Sequence, residues 1–150
     1  MAYRFSRFFQ EALSIALLLG LVAWSGVAPA QAQPDRIEAA VIAVIQQQLD
    51  AFAADDAEQA FKYASPGIKA SSGSAKNFMS LVKFRYGVVY RHASAAFFKP
   101  VIAGEEALVK VRLTDENGVN WIAAYTLERH KKNEWLISGC HLLEDKGNFV

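Results

Sequence analysis

The sequence predicts an α+β fold in which three helices precede and cover an antiparallel sheet of about four strands. Three observations predict it. Apolar residues recur at helical spacing from Ile37 to about Arg85, and from Val88 onward they alternate with polar ones. Helices therefore come before strands instead of alternating with them, the order of an α+β chain. An antiparallel sheet must also bury its apolar face, and these helices are the cover available for it.

The N-terminus is read separately. Arg4 and Arg7 precede a 12-residue apolar run from Leu13 to Trp24 and then SGVAPAQAQ. A basic head, a short apolar stretch and small residues spaced A-x-A form the pattern of a secretory signal peptide. The frames are Ala28-Pro29-Ala30 and Ala30-Gln31-Ala32, and cleavage is expected after Ala32. The run falls short of the roughly 20 apolar residues that a spanning helix needs. The chain thus divides into a signal peptide, 1–32, and one α+β domain, 33–150. The reading is an exported protein, periplasmic or secreted, that meets a membrane only through its transient signal.

In order, PDRIEAAVIAVIQQQLDAFAADD offers Asp35 as a helix cap with Glu38 three residues on. Ile37, Val41, Val44, Ile45, Leu49 and Phe52 then form one apolar stripe, predicting a helix over about 36–53. Asp56 is placed to cap a second helix with Ala57, Ala60, Phe61 and Ala64 on one face, and Ser65-Pro66-Gly67 is expected to stop it. ASPGIKASSGS reads as a loop between helices. Ser74 caps a third helix carrying Phe78, Leu81 and Val82, which Gly87 ends. ASAAFFKPVIAG is one strand, with Pro100 marking an edge or a bulge. EALVKVRLT alternates strictly, DENG turns with Gly118 free to take positive φ, and VNWIAAYTLERH returns with Trp121, Ala123, Tyr125 and Leu127 on one side. KKN turns again into EWLISGCHLLE.

That last strand holds the one cysteine, Cys140, beside His141. Strict alternation puts Cys140 with Leu136, Ser138 and Leu142, and His141 with Trp135, Ile137 and Gly139. Neighbours on opposite faces cannot share a proton, so a Cys–His dyad is excluded unless a bulge intervenes. Cys140 then reads as a small buried hydrophobe, and His92 and His130 as solvated groups near element ends.

Composition removes several functions. Residues 33–150 carry 14 basic and 14 acidic side chains, so no net positive charge points to nucleic acid. A single cysteine forms no internal disulfide. His92, His130 and His141 lack the close spacing of a zinc site. No nucleophile elbow, P-loop or dinucleotide fingerprint is present, and no cofactor is implied. Asp55-Asp56 and Glu105-Glu106 read as a helix start and a turn, not as acid–base pairs. The densest chemistry is FRYGVVYRH, residues 84–92, in which Arg85, Tyr86, Tyr90, Arg91 and His92 could line a pocket mouth or pack a helix-to-strand junction.

LDAFAADDAEQAFKYASPGIKA, NFMSLVKFRYGVVYR and GVNWIAAYTLERHKKNEWLISGCHLL together resemble a bacterial group, domain of unknown function 4864. This group is similar to the nuclear-transport-factor-2-like superfamily, which includes the ketosteroid isomerase and polyketide cyclase folds. The resemblance spans about residues 37–144 and is most specific in AFAADDAEQAFKYASP and WLISGC. It implies a cone, a bent sheet wrapped around helices with a cavity at the open end. Phe78, Tyr86, Tyr90, Arg91, Trp121, Tyr125, Trp135 and His141 are expected to line that cavity. Isomerase-type members need a pocket carboxylate and an oxyanion donor, and no acidic residue here sits at a recognisable core position. The expectation is therefore a non-catalytic module that uses an apolar cavity for a small molecule, or self-associates as a homodimer through a face bearing Trp121 and Tyr125. The alternative is a small isomerase, hydratase or cyclase working through Tyr90 or His141 with Arg91.

Overall fold

The computed structural model describes residues 33–147, so the expected signal peptide and cleavage site lie outside the described residues. Among the described residues, no helix is long and apolar enough to cross a membrane. Five helices come first: α1 (Gln33–Ala53), α2 (Ala57–Lys62), α3 (Pro66–Ser72), α4 (Ala75–Arg85) and α5 (Gly87–Tyr90). Five strands follow: β1 (Ser94–Phe97), β2 (Val101–Ala103), β3 (Glu106–Thr114), β4 (Asn120–Arg129) and β5 (Trp135–Glu144). The sheet is antiparallel in the order β1-β3-β4-β5, with β2 also on β3. The α+β architecture expected from the sequence is present, with more elements than the expected three helices and four strands.

Each extra element has a local cause. Ser65-Pro66 opens a helix instead of only closing one. The Ser65 side chain accepts from the Ile68 N–H at 3.4 Å, and proline suits the first helical position because its missing N–H would be unpaired there anyway. Gly73, at φ +73°, ends that helix, so ASPGIKASSGS is a capped helix and not a loop. Gly87 begins a further helical turn, α5, which delays the alternating pattern from Val88 to Ser94. Lys99-Pro100 splits the expected upstream strand into β1 and β2, since proline donates no ladder hydrogen bond. Asp35 lies inside the first turn of α1, where its charge suits the helix dipole, and not before it as a cap.

The predicted stripe of α1 is the centre of the core. Val41, Ile45 and Leu49 are 0% exposed and Phe52 is 1% exposed. Opposite them the inner sheet face presents Ala107, Val109, Val111 and Leu113 from β3, with Ala123, Tyr125 and Leu127 from β4, in direct cross-strand register. Each of the larger side chains stabilises the fold by about 1.5–3 kcal/mol through removal from water. The space between helices and sheet is occupied by these side chains. The described core lies wholly between Val41 and Ile137, inside the stretch beginning at Gln33.

The register of β5 differs from strict alternation. Thr126 pairs with Gly139 but Leu127 pairs with Ile137, leaving Ser138 as the extra residue of a β-bulge. Upstream of the bulge Trp135 and Ile137 face inward, and downstream Cys140 and Leu142 do. Cys140 and Ile137 therefore share a face, and His141 does not share the face of Trp135 and Ile137. The bulge lies before Cys140, so Cys140 and His141 still point to opposite faces. At the same point Ile137 donates to the Tyr63 carbonyl and accepts from the Ser65 N–H, each at 2.8 Å, which covers part of the β5 edge.

Gly139 is required by this geometry, because a Cβ there would meet Thr126 Oγ1 at 2.8 Å. Thr126 Oγ1 also accepts from Ser138 Oγ at 3.2 Å, so it cannot rotate away freely. Gly139→Ala should lower stability by about 1–3 kcal/mol, and adding Thr126→Ala should restore much of the loss. Denaturant melts of the four-member cycle measure this, and equal losses with and without Thr126→Ala would contradict the bulge packing.

Candidate functional site

The chemistry-rich segment 84–92 folds back on the end of α1. That helix closes with a Schellman arrangement: the Asp56 N–H reaches the Ala51 carbonyl at 2.9 Å and the Asp55 N–H reaches that of Phe52 at 3.1 Å. The closure requires left-handed backbone at residue 55, and with no glycine there Asp55 adopts φ +56°. Its carboxylate accepts from Arg91 Nη2 at 2.6 Å, from Lys83 Nζ at 2.9 Å and from the Tyr90 hydroxyl. Arg91 Nη1 also donates to the Ala53 and Phe52 carbonyl oxygens at 2.8 and 3.2 Å, satisfying the open C-terminus of α1. The Arg91 guanidinium and the Lys83 ammonium both lie against the Tyr90 ring, at 4.2 and 4.7 Å from its centre. The Tyr90 hydroxyl, then Lys83 and Arg91, hold the Asp55 carboxyl well below the usual carboxylate range, and Asp55 in turn raises Lys83.

Beside this cluster lies an open cleft of about 520 Å³ between α4–α5 and the β3–β4 turn. One wall is Arg85, Gly87, Val88 and Arg91; the other is Asp115, Glu116 and Asn117, with Trp121 and Leu142 between them. Asp115 is committed locally. It accepts from the Asn117 and Val119 N–H groups at 2.9 Å each and from Trp121 Nε1 at 3.3 Å, and these bonds, that of Val119 first, lower its pKa. Arg85 is different: the described ion pairs and hydrogen bonds do not include its guanidinium. A second open cleft, about 450 Å³, lies at the other end of β4, between α1, Tyr63 and the β4–β5 turn, with Trp135 in its wall.

The residues expected to line one cavity are dispersed over the molecule. Arg91 and Trp121 meet at the first cleft, and Trp135 lies at the second with Arg129 over its ring. Tyr90 belongs to the Asp55 cluster. Tyr86, half-buried, donates from its hydroxyl to the Cys140 carbonyl at 3.3 Å. Phe78 is a core residue tilted against Phe52 and Phe61 at 5.9 and 5.6 Å. His141 is exposed on the outer sheet face, because the bulge turns it away from Trp135 and Ile137. Tyr125 is 1% exposed beneath the helices, so it does not lie on an outer face available to a second copy.

Tyr125 and Cys140 are cross-strand partners in the interior. Burial pushes the Cys140 thiol up to about 12, and burial first, with Cys140 second, raises Tyr125 well above its ordinary value. A thiol held neutral in this way is not a nucleophile at neutral pH. The Tyr125 hydroxyl finds no hydrogen-bond partner among the described residues. His130 is not simply solvated, since its Nε2 lies 2.8 Å from Glu128 Oε1. Among the described residues no group of three or more His, Cys, Asp or Glu is placed to hold a metal.

Sequence reasoning missed the roles of Asp55 and Asp115. A helix end without glycine followed by Asp-Asp was the signal for the first. An aspartate opening a turn four residues long was the signal for the last.

Asp55→Asn should lower Tm at neutral pH, since asparagine tolerates the same backbone but loses the charge. A depressed folded-state pKa gives stability that is present above the ordinary carboxylate value and lost as pH falls through the folded one. The Tm gap should hold from neutrality to about pH 4, narrow below it, and close only in strong acid; a gap that is absent, or constant throughout, would contradict the cluster. Tyr125→Phe should leave Tm unchanged or higher, because it removes a buried hydroxyl without a partner. A loss above about 1 kcal/mol in denaturant melts would show that the hydroxyl is bonded.

Two solved structures are similar to this chain at low identity. One is a DUF4783 family protein from Bacteroides ovatus ATCC 8483, with 14% identity, a TM-score of 0.45, and coverage of 65% of this chain and 92% of that one. The other is an NTF2-like protein of unknown function from Shewanella baltica OS155, with 12% identity, a TM-score of 0.47, and coverage of 73% and 95%. No curated protein matches the sequence. The domain of unknown function DUF4864 matches residues 34–150, all of the described fold after Gln33, and the chain belongs to that family.

Proposed function

We propose that the chain is an exported binding module that performs no chemistry of its own and takes a small molecule in the cleft between α5 and the β3–β4 turn. The observation that carries this reading is the commitment of the polar groups. Tyr90, Arg91 and Asp55 satisfy one another and the end of α1, and Asp115 satisfies its own turn and Trp121. An isomerase-type site needs a base and an oxyanion donor free to meet substrate. The groups best suited to those roles are occupied, and His141 faces the opposite side of the sheet from Tyr125 and Cys140.

What the cleft leaves free is Arg85 and Glu116, one group of each sign, around Val88, Trp121 and Leu142. This lining suits a molecule with an apolar body and a head that accepts from Arg85 and donates to Glu116. The site is thus an open cleft at one end of the sheet, since the interior expected to hold an apolar ligand is filled by Tyr125, Leu113 and Phe52. Export is supported by the basic head, apolar run and A-x-A frames of residues 1–32.

Native mass spectrometry of the protein taken from the periplasm of its own host tests this reading. The expected spectrum shows retained small-molecule mass on the parent, and Arg85→Ala should retain it about tenfold less well. A parent that carries no adduct, or a variant that carries as much, would contradict the cleft as the site.

A further inference from the structure

We infer that the exposed face of α4 is a docking surface for an anionic lipid bilayer. Ala75, Phe78, Met79 and Val82 form the buried side of this helix. At about 100° per residue, Phe84 falls opposite them, at the middle of the exposed side. It is 88% exposed, and Leu81 beside it is 45% exposed. Lys76 and Lys83 fall to one flank of Phe84 and Arg85 to the other, and α4 contains no acidic residue.

The charge around this face is uneven. Residues 33–150 balance to zero, yet residues 57–93 hold six basic side chains against Glu58 alone. Among the described ion pairs only Asp55 reaches α4, through Lys83, and that carboxylate is shared with Arg91. A protruding aromatic ring between cations is the pattern of a shallow interfacial contact: the ring enters the headgroup boundary while the flanking ammonium and guanidinium groups meet lipid phosphates. A protein partner fits less well. Specific protein interfaces bury on the order of 1,000 Å² or more with close complementarity, whereas this face offers one projecting ring and one leucine. A fluid headgroup layer reshapes around such a ring. With so few insertions the contact is weak and reversible, and its strength comes largely from charge, about fivefold in affinity per cation near an anionic surface. It adds to the expected signal peptide a second way for this chain to meet a membrane; it shares Arg85 with the cleft wall, whereas Phe84 and Lys76 do not line the cleft.

The test is co-sedimentation of the chain beginning at Gln33, which contains the whole described core, with phosphatidylcholine vesicles containing or lacking one-third phosphatidylglycerol. Binding should be at least about tenfold stronger to the anionic vesicles and should fall away in high salt. Phe84→Ser and Lys76→Glu should each weaken it severalfold while leaving Tm unchanged, because both side chains are exposed. Equal binding to neutral vesicles, binding to neither, or unchanged binding by both variants would overturn the inference. Capture of soluble poly-glutamate without binding to anionic vesicles would overturn it as well, in favour of an acidic protein partner.

Discussion

Asp55 is the residue on which the α4–α5 end of this molecule depends. The closing turn of α1 demands left-handed backbone where the chain supplies no glycine, and aspartate takes it at φ +56°. The carboxylate so placed gathers Lys83 from α4, Tyr90 from α5 and Arg91 just after α5. Arg91 in turn reaches the last carbonyls of α1. Three helices are thereby fastened at one point. The fastening holds Arg91 in the wall of the neighbouring cleft. It also occupies the tyrosine, arginine and carboxylate that would otherwise suggest catalysis. One cluster thus explains both why the segment looks chemical and what Tyr90 and Arg91 are engaged in.

The sheet supplies the second constraint. Its inner face is filled by the stripe of α1, so the fold has no need of a ligand to complete its core. The bulge at Ser138 allows β5 to serve two neighbours at once. Ile137 keeps its side chain in the core while its backbone pairs with Tyr63 and Ser65. Ser65 caps α3 from the same position, 2% exposed, which ties the α2–α3 junction to the sheet edge. Gln48, 3% exposed, does similar work between α1 and α2 by donating to the Ala60 carbonyl at 3.1 Å.

Much of the fold was legible because it follows from periodicity and local capping. The stripe from Val41 to Phe52, the alternation of β3 and β4, the caps at Asp56 and Ser74, and the turn with Gly118 at φ +81° all rest on near neighbours in sequence. What was not legible depends on one inserted residue or on distant partners. A bulge changes strand parity without changing composition, and strict alternation past Ser138 therefore put His141 on the wrong face. Ser-Pro serves equally to end a helix and to begin one, and the beginning escaped notice. Asp55 meets Tyr90 and Arg91 across 35 and 36 positions of sequence, a separation that no local pattern records. Tyr90 and Arg91 were recognisable as important, but their role could not be read without Asp55.

The central claim, that Tyr90 and Arg91 are structural and already satisfied on Asp55 and the end of α1, is tested most directly at the Asp55 carboxyl itself. Carbon-13 NMR of the side-chain carboxyl, followed through an acid titration of the folded domain, reads its ionisation without a substitution. The account predicts a resonance that stays ionised through about pH 4, where an ordinary aspartate is half protonated, and titrates only in stronger acid. A midpoint near that ordinary value would show that Tyr90, Lys83 and Arg91 are not held on Asp55, and would return them to the list of groups free for chemistry.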